Sequence, residues 1–230
     1  VKTTSKFHHF LISFLLIAIL ANASASGAIA GASPYDMPKE MDRNAKYVIF
    51  LHNYYVEKNG PDGDCEYFDL LKMFSEKGYR VVSELRTGKI LPCTYAEKVA
   101  TQVVMLLDAG VPPRQITVAG HSKGGVIALC AASQLKNPEL NFVIMAGCEI
   151  APIKKYKMYP DFGALKGRIL SIFATSDKVA GSCKEAFSEA SGGLAETEIT
   201  LVSEKGHKLF FAPEALWVSP TLEWMNRATK

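Results

Sequence analysis

Six short runs rich in β-branched and aromatic residues recur along the chain, at 47–51, 80–85, 116–119, 142–146, 169–174 and 198–203, and each fits a strand buried on both faces of a sheet. Helix-length stretches lie between them: 66–77 closed by Gly78, 95–109 closed by Gly110, 124–135, and 182–190 closed by Ser191-Gly192-Gly193. Thr94 and Glu97 have capping-box spacing, so the second helix is expected to begin with the Thr94 hydroxyl accepting from the third helical N–H. A terminal helical region over 213–227 is expected to break at Ser219-Pro220, because a proline inside a helix lacks the N–H and crowds the preceding turn. Strands that alternate with helices pair in parallel through right-handed crossovers. The expected architecture is therefore an α/β fold, a doubly wound and mainly parallel six-stranded sheet with helices on both faces. The stretch 149–168 has two prolines and weak periodicity, and reads as an irregular excursion. No repeat of 20 to 50 residues is present, which excludes solenoids.

Composition narrows the class. The chain has 230 residues, 48% hydrophobic and 21% charged, enough to bury a sizeable core. A formal charge of +3 is too small a bias to argue for nucleic acid or an anionic membrane surface. Residues 1–25 are set apart: Lys2 and Lys6 precede an apolar run over 10–21, and small residues follow where a signal peptidase could cut, after Ala23 or Ala25. The run is shorter than the roughly 20 residues a membrane-spanning helix needs, so a cleaved signal, a secreted or periplasmic location and no stable membrane span are expected.

Five cysteines in an exported chain predict disulfides and an odd thiol. Cys65 and Cys93 lie in polar, turn-rich stretches, and Cys148 and Cys183 each follow an apolar run; those two pairings are expected. Cys130, within 126–132, reads as a buried helical thiol.

In a sheet of this kind reactive groups gather at the carboxyl ends of the strands. After the third run comes Gly120-His121-Ser122-Lys123-Gly124, a G-x-S-x-G pentapeptide between a strand and a helix. Small residues are needed on both sides because the serine occupies a sharp turn wedged against the neighbouring strand and helix. A phosphate-cradling loop does not fit: the lysine precedes the paired glycines, and neither nucleotide-binding spacing is matched. Asp177 follows the fifth run and His207 the sixth. A carboxylate there can hold the imidazole in one tautomer, and the imidazole can take the serine proton. Glu149, after the fourth run, is the substitute acid. Metal binding is not expected, since after the signal only His52, His121 and His207 remain and no H-E-x-x-H occurs. Met37, Met41, Trp217 and Trp224 read as packing residues.

This order of serine, acid and histidine, with Ser122 in its elbow, resembles the α/β-hydrolase superfamily, and specifically its small esterases and lipases without a large lid. The resemblance covers most of residues 26–230 and implies one hydrolase domain that needs no cofactor. It also implies an oxyanion hole built from the Lys123 N–H and an N–H of the loop after the first strand, which maps to Tyr54. Asn53 stands where many relatives have glycine, so Asn53 and Tyr54 both remain candidate donors. His52 reads as a strand-end histidine bonded to a backbone carbonyl. Lys154, Lys155, Lys157, Lys166 and Arg168 make the excursion basic; it forms a solvated face unless it overhangs Ser122.

The expected function is cleavage of a small-molecule or lipid carboxylic ester through an acyl-enzyme on Ser122, His207 and Asp177. Amide, thioester or lactone cleavage and acyl transfer use the same groups and stay open, as does a non-catalytic binding protein on the same scaffold.

Overall fold

The apolar runs pair into a single sheet because each can bury both of its faces only between helices. In the computed structural model, which describes residues 33–150, 153 and 158–228, the strands are β1 (Lys46–Leu51), β2 (Tyr79–Val82), β3 (Ile116–His121), β4 (Asn141–Met145), β5 (Gly167–Ala174) and β6 (Leu194–Leu201). Their order is β2-β1-β3-β4-β5-β6, and every pairing is parallel. The helices are α1 (Tyr54–Asn59), α2 (Tyr67–Glu76), α3 (Pro92–Asp108), α4 (Lys123–Leu135), α5 (Lys184–Ser188) and α6 (Ala215–Ala228). The chain steps one way from β1 to β2 and the other way from then on, so right-handed crossovers put α2 on one face and α3 and α4 on the other. This reversal between β1 and β3 makes a crevice at their carboxyl ends. The register pairs Leu51 with Gly120 and Ala174 with Leu201, which brings the loops after those strands out along the same edge.

The core follows the pattern of apolar positions. Ile49, Phe50, Ile116, Phe142 and Ile144 from the strands, and Leu71, Phe74, Leu106, Ile127 and Leu129 from the helices, are all buried. Each such side chain contributes about 1.5–3 kcal/mol by leaving water. Trp217 is buried, its indole N–H donating to the Ala212 carbonyl at 2.9 Å, and Met37, Met41 and Trp224 pack at the core's margin as expected.

Several boundaries differ from expectation, each for a tertiary reason. β2 ends at Val82, because Ser83 donates its N–H to Tyr35 of the preceding segment instead of continuing the ladder. β6 begins at Leu194: an edge strand with a single buried residue needs no apolar run, so its polar first half carries no strand signal. α3 starts at Pro92 with proline in the first turn, and the Thr94–Glu97 capping box does not form. α6 continues through Pro220; the carbonyl the proline displaces belongs to Leu216, which is exposed to water, while Trp217, Thr221 and Met225 anchor the buried side.

The disulfides correct one pairing. Cys148 joins Cys183 as expected, but Cys93 joins Cys130 and Cys65 is the free thiol. Cys93 lies in the first turn of α3, which packs along α4 where Cys130 sits. Cys65 precedes α2 and lies against Asn53, whose amide nitrogen is 3.5 Å from its sulfur. Burial pushes the Cys65 thiol up to about 11, which disfavours the reactive thiolate.

Candidate active site

At the end of β3 the chain turns into α4 through Ser122, whose φ of 55° and ψ of −119° lie in a region most side chains avoid. Close packing imposes the turn. A Cβ on Gly120 would lie 2.2 Å from the Gly124 carbonyl oxygen, and a Cβ on Gly124 would lie 2.0 Å from that of Leu51. The two glycines therefore let α4 and the end of β1 close onto the serine from both sides. Ser122 donates its N–H to the Met145 carbonyl at 2.8 Å, which ties the strained residue to β4.

Asp177 follows β5 and His207 follows β6, and the two meet: His207 Nδ1 lies 2.8 Å from Asp177 Oδ2. The carboxylate is held from behind, since Asp177 Oδ1 accepts from the Val179 and Ala180 N–H groups at 2.7 and 3.0 Å. Burial alone would raise the Asp177 pKa, but the hydrogen bond from His207 and those from Ala180 and Val179 outweigh it and hold the carboxyl below its ordinary value. A carboxylate kept ionised fixes the His207 proton on Nδ1 and leaves Nε2 free as a base. Ser122 and His207 line the same cavity, of about 770 Å³.

Asn53 caps α1, its Oδ1 accepting from the Val56 N–H at 2.9 Å in an extended conformation that does not call for glycine. That leaves the Asn53 amide nitrogen to donate to His121 Nδ1 at 3.0 Å, which puts the His121 proton on Nε2. The buried His121 ring packs at a tilt against that of His207, with centroids 4.8 Å apart. Burial first, and His207 next, push its pKa well below the usual range, so it sets no second charge against an imidazolium on His207. Tyr54 is the first residue of α1 and Lys123 the first of α4, and helix geometry leaves such N–H groups without intrahelical partners. Both residues line the cavity.

Behind this loop is a buried charge cluster that sequence reasoning missed. Glu57, on α1, pairs with Lys123 Nζ at 2.6 Å and with Arg86 Nε at 3.8 Å; the Glu57 and Arg86 side chains are 1% and 0% exposed. The Arg86 guanidinium also donates to the His52 carbonyl, and its backbone N–H donates to His52 Nε2 at 2.8 Å. The His52 proton therefore sits on Nδ1, directed at the Asn53 carbonyl 2.9 Å away, the role expected for this residue. Burial and the Arg86 charge drive the His52 pKa down to about 3. Glu57 thus connects α1, the segment after β2 and the residue following Ser122. Arg86 lies just past the end of β2, a position where reactive groups gather, but a lone arginine there has no local partner that would mark it as buried.

Other expected positions fall elsewhere. Glu149 lines a separate hollow of about 130 Å³ with Cys148, Tyr159 and Ser182, and the carboxylate that meets the His207 imidazole is Asp177. Of the excursion's described residues, Ile150, Ile153 and Met158 line the cavity with Ser122. Lys166 and Arg168 stand at the amino end of β5, the opposite edge of the sheet, with Arg168 over the Trp224 ring. Lys154, Lys155 and Lys157 lie outside the described residues, as does the expected signal segment.

Neither a protein-family model nor a curated protein matches the sequence. Solved structures do match the fold. A candidate dienelactone hydrolase from Klebsiella pneumoniae subsp. pneumoniae is 15% identical, with a TM-score of 0.58 over 83% of this chain and 90% of its own. A carboxylesterase structure from the thaumarchaeon Nitrososphaera gargenis is 12% identical, with a TM-score of 0.54 over 83% and 93%. A sugar hydrolase from Lactococcus lactis is 14% identical, with a TM-score of 0.53 over 84% and 92%. The chain has the α/β-hydrolase fold. At such identities the likeness speaks for the fold alone, and the chemistry must be argued from the site.

Proposed function

We propose that the protein is an exported serine hydrolase that cleaves carboxylic esters. The observation that carries this reading is the 2.8 Å contact between Asp177 and His207 at the edge of a cavity that the strained Ser122 also lines. His207 Nε2 takes the Ser122 proton as Oγ attacks the acyl carbon, and Asp177 stabilises the imidazolium that forms. The Lys123 and Tyr54 N–H groups donate to the negatively charged tetrahedral oxygen. The intermediate then expels the alkoxide, which takes the proton from Nε2, and water repeats the sequence on the acyl-enzyme. Export is supported by the apolar segment of residues 1–25 and by the two disulfides, which persist in oxidising compartments. Among the described residues no helix is long and apolar enough to cross a membrane.

The test is fluorophosphonate labelling of residues 26–230, with the adduct located by peptide mass spectrometry. An adduct on Ser122 that Ser122→Ala lacks is expected. Ser122→Ala, His207→Ala and the double variant should each lose on the order of 10⁶ in kcat, because the groups act as one unit. A folded protein that takes no label, or a double variant far slower than either single one, would overturn the assignment.

A further inference from the structure

The cavity beside Ser122 is lined unevenly. Among the described residues, α1 and the elbow contribute Tyr54, Tyr55, Lys58, Asn59 and Lys123; Ile90 before α3, Pro92 at its start, and Ile150, Ile153 and Met158 of the excursion form a run of apolar side chains, with Val179 and Phe211 beside His207. The two halves of this apolar wall meet where the Met158 carbonyl lies 3.9 Å from the Cys93 sulfur. Both disulfides bracket it: Cys93, next to Pro92, is bonded to Cys130, and Cys148, two residues before Ile150, is bonded to Cys183. A wall of apolar side chains keeps water against apolar surface until a ligand covers it. An acetyl group would leave most of a 770 Å³ space in that state.

We infer that the substrate is an ester of a medium-length, unbranched aliphatic acid, and that its acyl chain lies along the wall of Ile90, Pro92, Ile150, Ile153 and Met158. This rests on the esterase reading above and specifies which half of the ester carries the selectivity. Each methylene moved from water onto such a wall raises kcat/KM by up to roughly fourfold, and a half-covered chain of about eight carbons by on the order of 10² over acetate. Ile90 is only partly buried, so a polar residue there is compatible with folding, whereas Met158→Trp would shorten the wall by filling it.

The experiment measures kcat/KM for p-nitrophenyl acetate, butyrate, hexanoate and octanoate, each kept below its aggregation limit, on the disulfide-intact chain of residues 26–230. A gain of tenfold or more from acetate to octanoate is expected, with Ile90→Asp and Met158→Trp each reducing the octanoate-to-acetate ratio at least fivefold. Acetate turned over with a gain below tenfold, or a ratio unchanged in both variants, overturns the acyl-chain inference and leaves the esterase reading intact. Failure to turn over every ester in the series, acetate included, overturns both.

Discussion

Lowering the pH should destabilise this protein well before its carboxylates titrate, because the fold holds His52 neutral. The His52 pKa falls from 6.5 to about 3 on folding, through burial and the neighbouring Arg86 guanidinium. A histidine depressed in this way binds its proton more readily in the unfolded chain, so its contribution to stability is complete above pH 6.5 and declines as pH drops toward 3. The slope approaches 1.4 kcal/mol per pH unit, which makes the loss at pH 4.5 about 3 kcal/mol. That is a large part of the 5–15 kcal/mol typical of a domain. His121, buried and depressed in the same direction, steepens the decline. Asp177 works in a lower window: its folded pKa lies below 3.8, so its contribution is present above that value and is lost only as pH falls through the folded pKa. Urea unfolding of the disulfide-intact chain between pH 8 and pH 4.5, beside His52→Gln, separates these terms. The parent curve should fall more steeply than that of the variant by about one proton's worth, 1.4 kcal/mol per unit. Parallel curves would refute the claim that the fold excludes the charged form of His52.

Glu57→Gln should destabilise the protein by about 3–5 kcal/mol, because it leaves the fully buried Arg86 guanidinium without its carboxylate. The variant should also lower kcat on the order of tenfold or more by loosening α1 against the elbow; urea unfolding and ester turnover check both, and a loss under 1 kcal/mol would count against the cluster's structural role. Gly124→Ala lies within a helix, where propensity alone would favour alanine by about 1 kcal/mol. The 2.0 Å approach to the Leu51 carbonyl oxygen reverses the sign, and a net destabilisation above 2 kcal/mol by urea unfolding is expected. A variant as stable as the parent would show that the elbow tolerates a Cβ.

What could be read along the chain were the features whose physical cause is local. Continuous apolar runs marked the central strands, since a strand covered on both faces has to be apolar throughout. The paired glycines around Ser122 were legible because the turn itself excludes side chains, and Asp177 and His207 because parallel strands deliver their carboxyl ends to one edge. The rest depended on neighbours distant in sequence. The polar start of β6 is a strand only because β5 offers it a free edge, and the helix that begins at Pro92 overrides the Thr94 capping signal. Cys93 pairs with Cys130 because α3 packs on α4. The Arg86–Glu57–Lys123 cluster unites residues whose spacing follows no periodicity, and each taken singly resembles a solvated surface charge. Chemistry that a turn or a strand end imposes is written locally; pairing and burial are settled when the sheet decides which segments share a face, because only there does a charge lose its water and acquire a partner.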